Sequence, residues 1–379
     1  MTVRSSIKAL TVLVTGGTGF VGSALIAKLL QQGHNVIALF RPSPKNGNGA
    51  HRVENAIRAI RPFLTRRGQL SVIAGDVTSP GVLQNSREIT KGQIDQIWHC
   101  AGSIDFDDEA ANQQINVLGT QNMAQLAIDL DVQRFLYIST AYTCGARTGR
   151  IFEDDPLPTE FNNSYERSKV QAEKILQDVI RDVLTIVRPS IVVGALSPSW
   201  TRSTPSTFAA YYGFFKGFRR LKDWAQPDGI FKLRGLRIPG NAKAEINVIP
   251  VDDVSRICLA LMLSKDTMSG QVFHAAHPDG PTYEFLVRTS LRIMGILGGR
   301  IGVDPGDDAT APEVIIRNAI SPFLPYVSVK DRRIDMTKTK KYYPDQIPLI
   351  NKEKIVRRLI EPAMASEFTD LGHKGIDPS

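Results

Sequence analysis

Residues Thr11–Gly22 read T-V-L-V-T-G-G-T-G-F-V-G, a short apolar run followed by closely spaced glycines. Gly16, Gly19 and Gly22 have the spacing G-x-x-G-x-x-G, and a helical pattern continues to about Gln32. Such glycines let the backbone turn tightly and approach a pyrophosphate, whose charge the first amides of the helix can bind. The stretch predicts a strand, a phosphate-binding turn and a helix, and a plain strand–helix turn is the alternative.

The following residues repeat this alternation of strand and helix. Short apolar strands are predicted at Asn35–Phe40, Leu70–Ala74, Ile94–His99, Arg134–Ser139, Val183–Val187 and Gln271–Ala275, and longer helices at 108–130 and 251–264. Continuous apolar strands separated by helices indicate a parallel sheet covered on both faces. We predict an α/β fold with a doubly wound parallel sheet, the Rossmann fold, and a smaller, discontinuous C-terminal substrate lobe. The nucleotide-binding domain takes 1–194 and 246–276, and the lobe and tail take 195–245 and 277–379.

The composition is that of an ordinary globular protein. Of 379 residues, 42% are hydrophobic and 22% are charged, and no apolar run is long enough to predict a transmembrane helix. The N-terminus leads into the first strand without the apolar segment of a secretory signal. Cys100, Cys144 and Cys258 lie far apart, in neither a zinc pattern nor a disulfide framework. We therefore expect no metal and a cytoplasmic location, and we leave the oligomeric state open, with a dimer compatible.

The net charge of +8 is concentrated in one region. Residues 201–245 carry nine Lys or Arg against three Asp or Glu, together with many aromatic residues. This region is either a solvated basic surface over a core or a lobe that binds an anionic ligand with an apolar part. No nucleic-acid-binding motif is present, so no nucleic acid partner is expected. Residues 211–222 read as a helix of the substrate lobe or, alternatively, as a peripheral contact with an anionic membrane.

The residues after the second and third strands indicate which nucleotide is bound. An acidic residue after the second strand would bind the 2′-hydroxyl of NAD, but Arg41 follows Phe40 and the next acid is Glu54. Arg41, with Lys45 or Arg52, suits the 2′-phosphate, so the predicted cofactor is NADP(H). After the third strand, Asp76 and Val77 are predicted to contact the adenine, although a turn aspartate is an alternative reading.

A second cluster of polar residues predicts the chemistry. The fifth strand ends at Ser139 and Thr140, and Tyr165 lies one helical turn before Lys169 in S-Y-E-R-S-K. Hydride delivery to a carbonyl makes an oxyanion that must be protonated. A phenol has a pKa of about 10, and a neighbouring lysine cation lowers it towards neutrality. Thr140 would hold the carbonyl oxygen. Thr140, Tyr165 and Lys169 are the predicted catalytic residues; the alternative for Tyr165 and Lys169 is an ordinary solvated helix face.

The chain carries G-G-T-G-F-V-G, G-D-V (75–77), H-C-A-G (99–102), I-N-V-L-G-T (115–120), S-T-A, Y-E-R-S-K and R-P-S-I-V (188–192). Together these motifs resemble the extended short-chain dehydrogenase/reductase superfamily over Thr11–Ala276. The resemblance implies Thr140 as the catalytic hydroxyl, with Ser139 as a fallback, and Asn116 either as a support for the lysine or as a plain helix-face residue. It also implies cofactor contacts by Gly16, Thr18, Gly19, Phe20, Val21, Gly22, Arg41, Arg52, Asp76, Val77, Cys100, Ala101, Gly102, Tyr165, Lys169, Pro189, Ile191 and Val192.

Within the superfamily, H-C-A-G-S-I-D-F-D-D-E (99–109), S-T-A-Y and V-I-P-V-D-D-V (248–254) are similar to fatty acyl-CoA reductases and thioester reductase domains of the male-sterility type. This resemblance implies reduction of an acyl thioester, on CoA or a carrier protein, to an aldehyde or alcohol. Cys100 and Gly102 depart from the more usual Asn and Ala, and the C-terminal segment has no clear match. Alternatives are a ketone or secondary-alcohol dehydrogenase of a sterol-, polyketide- or terpenoid-like substrate, a nucleotide-sugar epimerase or dehydratase, and a non-catalytic NADP-binding protein.

Overall fold

A parallel sheet organises the part of the chain that the structure describes. The structure is a computed structural model, and it describes residues 9–42, 49–83, 89–196, 217, 220, 232–264, 266, 268–329, 331–343 and 351–365. The sheet strands are β1 (Thr11–Thr15), β2 (Asn35–Phe40), β3 (Leu70–Ala74), β4 (Gln96–His99), β5 (Arg134–Ile138), β7 (Leu184–Pro189) and β11 (Gln271–Ala275). Shorter strands outside it are β6 (Gly149–Ile151), β8 (Ile191–Val193), β9 (Lys232–Ile238), β10 (Val248–Pro250), β12 (Leu297–Ile301) and β13 (Arg332–Ile334).

The seven strands have the order β11-β7-β5-β4-β1-β2-β3, and each neighbouring pair is parallel. The order reverses between β1 and β4. In open α/β sheets, ligands bind at this reversal, in the crevice outside the carboxyl ends of the strands. The predicted doubly wound fold is confirmed, and the crevice lies where the glycine turn begins.

Helices cover both faces of the sheet and build the C-terminal region. They are α1 (Phe20–Gln32), α2 (Gly49–Ile60), α3 (Glu109–Ala111), α4 (Gly119–Leu130), α5 (Ser164–Val179), α6 (Val251–Met262), α7 (Tyr283–Ile293), α8 (Ala311–Ile320), α9 (Leu324–Val327), α10 (Thr337–Tyr342) and α11 (Lys352–Ala365). Within the described ranges, no helix combines the length and the apolar character needed to cross a bilayer.

The sequence predictions differ from the structure in a few places with clear causes. The predicted helix 108–130 is continuous but contains a π-helical turn, Asn112–Leu118, between α3 and α4. The strands β6, β8, β9, β10, β12 and β13 were not predicted. Four of them have only three residues, and all six form two-stranded ladders outside the main sheet.

A hydrophobic cluster separate from the sheet's own core holds the C-terminal region together. Most of its buried members come from β9, β10, α7, α8 and α11, and they include Ile238, Tyr283, Ile316 and Val356. Part of the basic charge predicted for 201–245 is used here, because Arg237 pairs with Glu313 and Asp308. Residues 211–222, for which a membrane contact was considered, lie outside the described residues except for 217 and 220.

Candidate active site

The glycine turn is packed against the segment that follows β4. Gly16 has a φ of 69°, and a Cβ on it would lie 2.7 Å from the amide nitrogen of Ala101. A Cβ on Gly22 would lie 2.3 Å from the Gly16 carbonyl oxygen. Any other residue at these two positions would push the backbone apart. The turn thus forms a cradle, lined by main chain, at the sheet's carboxyl edge.

Helix α1 opens onto this cradle. Its N-cap is Gly19, and no acidic residue occupies its first turn, so the amides and positive dipole end stay available to an anion. Thr18 and Gly19 are exposed, and Phe20 and Val21 are partly exposed. Phe20 and Val192 pack against the same small apolar cluster, which places β8 beside the start of α1. Pro189 and Ile191 lie at the same edge, around the end of β7. These residues fit the pyrophosphate half of a dinucleotide.

The two arginines predicted to select the nucleotide lie together. Arg41 is exposed directly after β2, and Arg52 on α2 donates from Nη1 to the Arg41 carbonyl oxygen at 3.3 Å. The Arg52 guanidinium therefore lies beside the Arg41 backbone at the end of β2, where the adenosine ribose binds in this fold. Lys45 lies outside the described residues.

Asp76 has a structural role in this site. Its Oδ1 accepts hydrogen bonds from the amide and the hydroxyl of Thr78, both at 2.9 Å, and so closes the turn after β3. Asp76 is therefore a turn aspartate, as the alternative interpretation predicted. Val77 is buried, and its carbonyl oxygen accepts from Asn122 Nδ2 at 2.8 Å.

A buried hydrogen-bond chain that was not predicted holds the segment after β4 beside the glycine turn. The Thr15 hydroxyl accepts from the amides of Cys100 and Ala101, each at 3.1 Å, and lies 2.7 Å from His99 Nδ1. Because its lone pairs are taken, the hydroxyl donates to Nδ1, which leaves His99 Nε2–H to donate to Thr120 at 3.1 Å. Burial lowers the pKa of His99 to about 3, so this ring is neutral. H-C-A-G thus serves to join β4 to β1.

Helix α5 carries the predicted catalytic pair. Its N-cap Asn163 accepts from the Glu166 amide at 3.0 Å, and Tyr165 lies in the first turn. Lys169 is buried, donates from Nζ to the Ile138 carbonyl oxygen at 2.8 Å, and lies 4.3 Å from the centre of the Tyr137 ring. Burial lowers the pKa of Lys169 to about 8, against the opposing attraction of Glu173. The lysine is thus held at the end of β5.

Tyr165 and Thr140 face each other across the crevice. Burial raises the pKa of the Tyr165 phenol to about 12, while a hydrogen bond with the Thr140 side chain acts to lower it. The predicted lowering of this pKa is therefore wrong in direction, because burial outweighs the favourable contacts and the Lys169 ammonium is bonded to the Ile138 carbonyl oxygen instead. A phenol with this pKa remains protonated at neutral pH and is a weaker acid than a free phenol.

Ser139 is engaged elsewhere. Its hydroxyl donates to Glu173, whose carboxylate also pairs with Arg188 through Nε at 3.0 Å and Nη2 at 2.6 Å. All three side chains are buried. The structure therefore favours Thr140 over Ser139 as the hydroxyl that faces the reaction. Glu173 was missed, although it lies one helical turn after Lys169 on the buried face of α5.

Asn116 lies in the π-helical turn, and its amide is fully used. Its Oδ1 accepts from the Ser103 amide at 2.8 Å, and its Nδ2 donates to the Ser103 carbonyl oxygen at 3.0 Å and to the Ser168 hydroxyl at 2.8 Å. A Cβ on Gly102 would lie 3.0 Å from Asn116 Oδ1 and 3.8 Å from Lys169 Nζ. Asn116 therefore joins the segment after β4 to α5 near the lysine, with no direct bond to it. Its plain helix-face reading is wrong, because the residue is buried.

Aromatic residues border the phenol of Tyr165 on the side of the C-terminal region. The ring centre of Phe106 lies 6.0 Å from Tyr165, 6.0 Å from Phe323 and 5.7 Å from Tyr326. Tyr142 meets Tyr326 edge-on at 4.9 Å. These contacts between distant segments carry no local sequence signal. Within the described ranges, no group of His, Cys, Asp or Glu is arranged to hold a metal ion.

Comparison with known proteins agrees with this geometry. The family model described as male sterility protein, an NAD-binding model, matches residues 14–258. The chain belongs to the male sterility protein family. It is therefore a member of the extended short-chain dehydrogenases/reductases, with a dinucleotide-binding domain over the matched residues.

Relatives whose names give different activities are similar to this chain. Fatty acyl-CoA reductase 1 of Gallus gallus is 28% identical over 294 residues, which is 66% of this chain and 53% of that protein. A 3-beta-hydroxysteroid dehydrogenase of Mycolicibacterium neoaurum is 32% identical over 199 residues, which is 48% of each. The chain thus spans about half the length of these curated relatives.

A solved structure shares the fold over nearly the whole chain. The terminal R domain of the myxalamid PKS-NRPS biosynthetic pathway superposes with a TM-score of 0.72 at 23% identity, covering 96% of this chain and 92% of that one. The C-terminal region is therefore included in the shared fold.

Proposed function

We propose that this protein is an NADPH-dependent reductase of acyl thioesters, carried on CoA or on a carrier protein. The match to fatty acyl-CoA reductase 1 supports this substrate class, because at 66% of the chain it must extend beyond the nucleotide-binding residues 1–194. The match to the steroid dehydrogenase, at 48%, is short enough to fit within that part. Substrate choice depends on residues outside the nucleotide site, so the longer match carries more weight.

The cradle at the start of α1 fits the pyrophosphate of the cofactor, since its glycines pack main chain against main chain and no acidic residue occupies the first turn of α1. Arg41 and Arg52 would bind the 2′-phosphate through charge-assisted hydrogen bonds. The absence of an acidic residue directly after β2 supports NADPH over NADH. The bound nicotinamide supplies the hydride.

The chain's own residues manage the carbonyl oxygen and its proton. The Thr140 hydroxyl donates to the thioester oxygen and stabilises the negative charge that develops when hydride adds to the carbonyl carbon. The Tyr165 phenol, protonated at neutral pH because its pKa is about 12, gives its proton to that oxygen. Cleavage of the C–S bond in the resulting hemithioacetal releases an aldehyde and a thiol, and solvent restores the phenol's proton.

Lys169 contributes a buried positive charge beside this centre. Its ammonium is fixed by the Ile138 carbonyl oxygen at 2.8 Å and by the face of Tyr137. A buried cation stabilises the oxyanion and the phenolate left after proton transfer. Its effect on the reaction is therefore electrostatic and does not need a direct bond to Tyr165.

A second candidate function is a dehydrogenase of a secondary alcohol or ketone on a flat apolar substrate. The 32% identity to a 3-beta-hydroxysteroid dehydrogenase favours it. The same Thr140, Tyr165 and Lys169 would serve, with Tyr165 accepting a proton in the oxidative direction.

The test is oxidation of NADPH by the purified protein, followed by absorbance, with a long-chain acyl-CoA and with a panel of ketones that includes 3-oxosteroids. We expect turnover that releases free CoA thiol and is lost in Tyr165→Phe. Turnover of the ketones alone would assign the chain to the second candidate. Parallel assays with NADH test the nucleotide, and equal efficiency with NADH would contradict the NADPH assignment.

A further inference from the structure

The residue after Tyr165 is a carboxylate enclosed in the protein. Glu166 has a relative exposure of 0%. Its oxygens accept from the Asn162 amide at 2.9 Å, from Asn162 Nδ2 at 3.1 Å and from the Tyr326 hydroxyl at 2.7 Å. No Lys or Arg of the described ranges forms an ion pair with it. An enclosed carboxylate without a cation depends on each donor that it has.

Tyr326 reaches this carboxylate from the C-terminal region. It lies in the short helix α9, and its hydroxyl accepts a second hydrogen bond from Asn163 Nδ2 at 2.6 Å. Asn163 is the residue whose Oδ1 caps α5. One phenol group thus joins the N-cap and the first-turn carboxylate of the helix that carries Tyr165.

The ring of Tyr326 also contacts the segments that hold the reacting groups. Phe106 lies between Tyr326 and Tyr165, with ring centres 5.7 Å and 6.0 Å away. On its other side Tyr326 meets Tyr142 edge-on at 4.9 Å, and the Tyr142 amide donates to the Thr140 hydroxyl at 3.3 Å. Tyr326 therefore touches the neighbours of both Thr140 and Tyr165.

The charge of Glu166 acts on the catalytic phenol. After burial, the Glu166 carboxylate is the remaining group that raises the pKa of Tyr165, while Thr140 lowers it. Burial and Glu166 raise the pKa of the Tyr326 phenol as well, so its proton stays on the bond to that carboxylate. The position of the carboxylate thus affects how Tyr165 holds its proton.

We propose that Tyr326 is a positioning residue, supplied by the C-terminal region, which fixes the Asn163 cap and the Glu166 carboxylate and thereby the orientation of the Tyr165 phenol. The inference rests on the proposed role of Tyr165 as the proton donor. It gives the C-terminal region a part in the chemical step, in addition to any contact with substrate.

The test compares Tyr326→Phe with the double variant Glu166→Gln/Tyr326→Phe. Phenylalanine keeps the ring and removes the two hydrogen bonds, so kcat falls about tenfold while NADPH affinity is unchanged. Glu166→Gln alone completes the cycle: both changes break the same Tyr326–Glu166 bond, so the double variant loses less than the sum of the two single losses. A residue that merely packed would give additive losses instead.

Two further variants keep the test decisive. Asn163→Ser retains a capping side chain and loses the donor to Tyr326, so it too lowers kcat, and it does so even if Tyr326→Phe fails to fold. Arg167→Ala, in the same helix turn, removes an exposed pair with Glu109 and leaves kcat unchanged. Unchanged kcat in Tyr326→Phe, or losses that simply add in the double variant, would overturn the proposal.

The outcome can be separated from that of the proposed function. Wild-type activity that disappears in Tyr165→Phe but persists in full in Tyr326→Phe would uphold the reductase and overturn this inference. If acyl-CoA is not turned over and a ketone is, the same variants are compared on the ketone. The role of Tyr326 is then tested although the proposed substrate has failed.

Discussion

Helices α1 and α5 begin at the same edge of the sheet but in opposite ways. The first turn of α1 has a glycine cap and no acidic residue, so its amides face outward, available to an anion. The first turn of α5 is closed by the Asn163 side chain and holds the enclosed carboxylate of Glu166. The N-terminus of α1 leaves backbone amides available to a ligand. The N-terminus of α5 is capped by its own side chains, and this helix contributes side chains to the reaction.

The largest expected effect lies at the reacting end of this comparison. Thr140→Val removes the hydroxyl that acts on Tyr165, and we expect kcat to fall by roughly 10² to 10³. Ser139→Ala is the matched control, because that hydroxyl donates to Glu173. Steady-state kinetics of the two variants separate the roles. A larger loss in Ser139→Ala than in Thr140→Val would exchange the assignments.

At the α1 end, Gly22→Ala places a methyl group 2.3 Å from the Gly16 carbonyl oxygen. The turn must open to make room for this methyl group. Because overpacking of a tight site is destabilising, we expect NADPH affinity to fall by about 10- to 100-fold. Nucleotide binding is measured by fluorescence of the reduced cofactor. Gln32→Ala, at an exposed position at the far end of α1, is the control, and an equal loss of affinity there would contradict the assignment of the glycine turn to the nucleotide.

The buried lysine predicts a pH dependence. With a pKa of about 8 in the folded protein, Lys169 loses its charge as the pH rises through that value, so kcat/KM falls about tenfold per unit above it. Folding is not the cause, because a lysine whose pKa is below its unfolded value adds stability as pH rises from about 8 to about 10.5. A profile that is flat to pH 10 would refute the electrostatic role, and Lys169→Arg should move the fall to higher pH.

The smallest effect is expected at the nucleotide's far end. Arg41 is exposed, and water screens its interaction with a 2′-phosphate, so Arg41→Ala should raise the KM for NADPH only several-fold. The KM for NADH should stay constant, since NADH lacks that phosphate. Equal changes for both nucleotides would show that Arg41 shapes the turn and does not select between them.

The contrast between the two helices also explains what the sequence could predict. The α1 end rests on glycines at fixed spacing next to an apolar strand, and both the strand and the helix have the predicted bounds. At the α5 end, Tyr165 and Lys169 could be predicted from their spacing on one helix. The pKa of Tyr165 could not, because it depends on burial by segments far away in the chain.

No local sequence pattern predicts the contacts of Tyr326 and Phe106. Tyr326 and Glu166 are 160 residues apart, and α9 has only four residues, so no periodicity identifies it. Glu166 in a first helical turn is an ordinary surface pattern until the C-terminal region covers it. The structure within one strand–turn–helix unit could be predicted from its local sequence. The side-chain contacts that distant segments make with that unit could not.

The most direct test of the central claim, that Tyr165 protonates a thioester-derived oxyanion, is a single-turnover experiment. Enzyme loaded with NADPH is mixed with a long-chain acyl-CoA, and nucleotide oxidation, free thiol and aldehyde are followed together. We predict that the three appear in equal amounts in the wild type, and that Tyr165→Phe binds NADPH normally but slows the reaction by roughly 10² to 10⁴. A Tyr165→Phe variant that reduces the thioester at the wild-type rate would contradict the account.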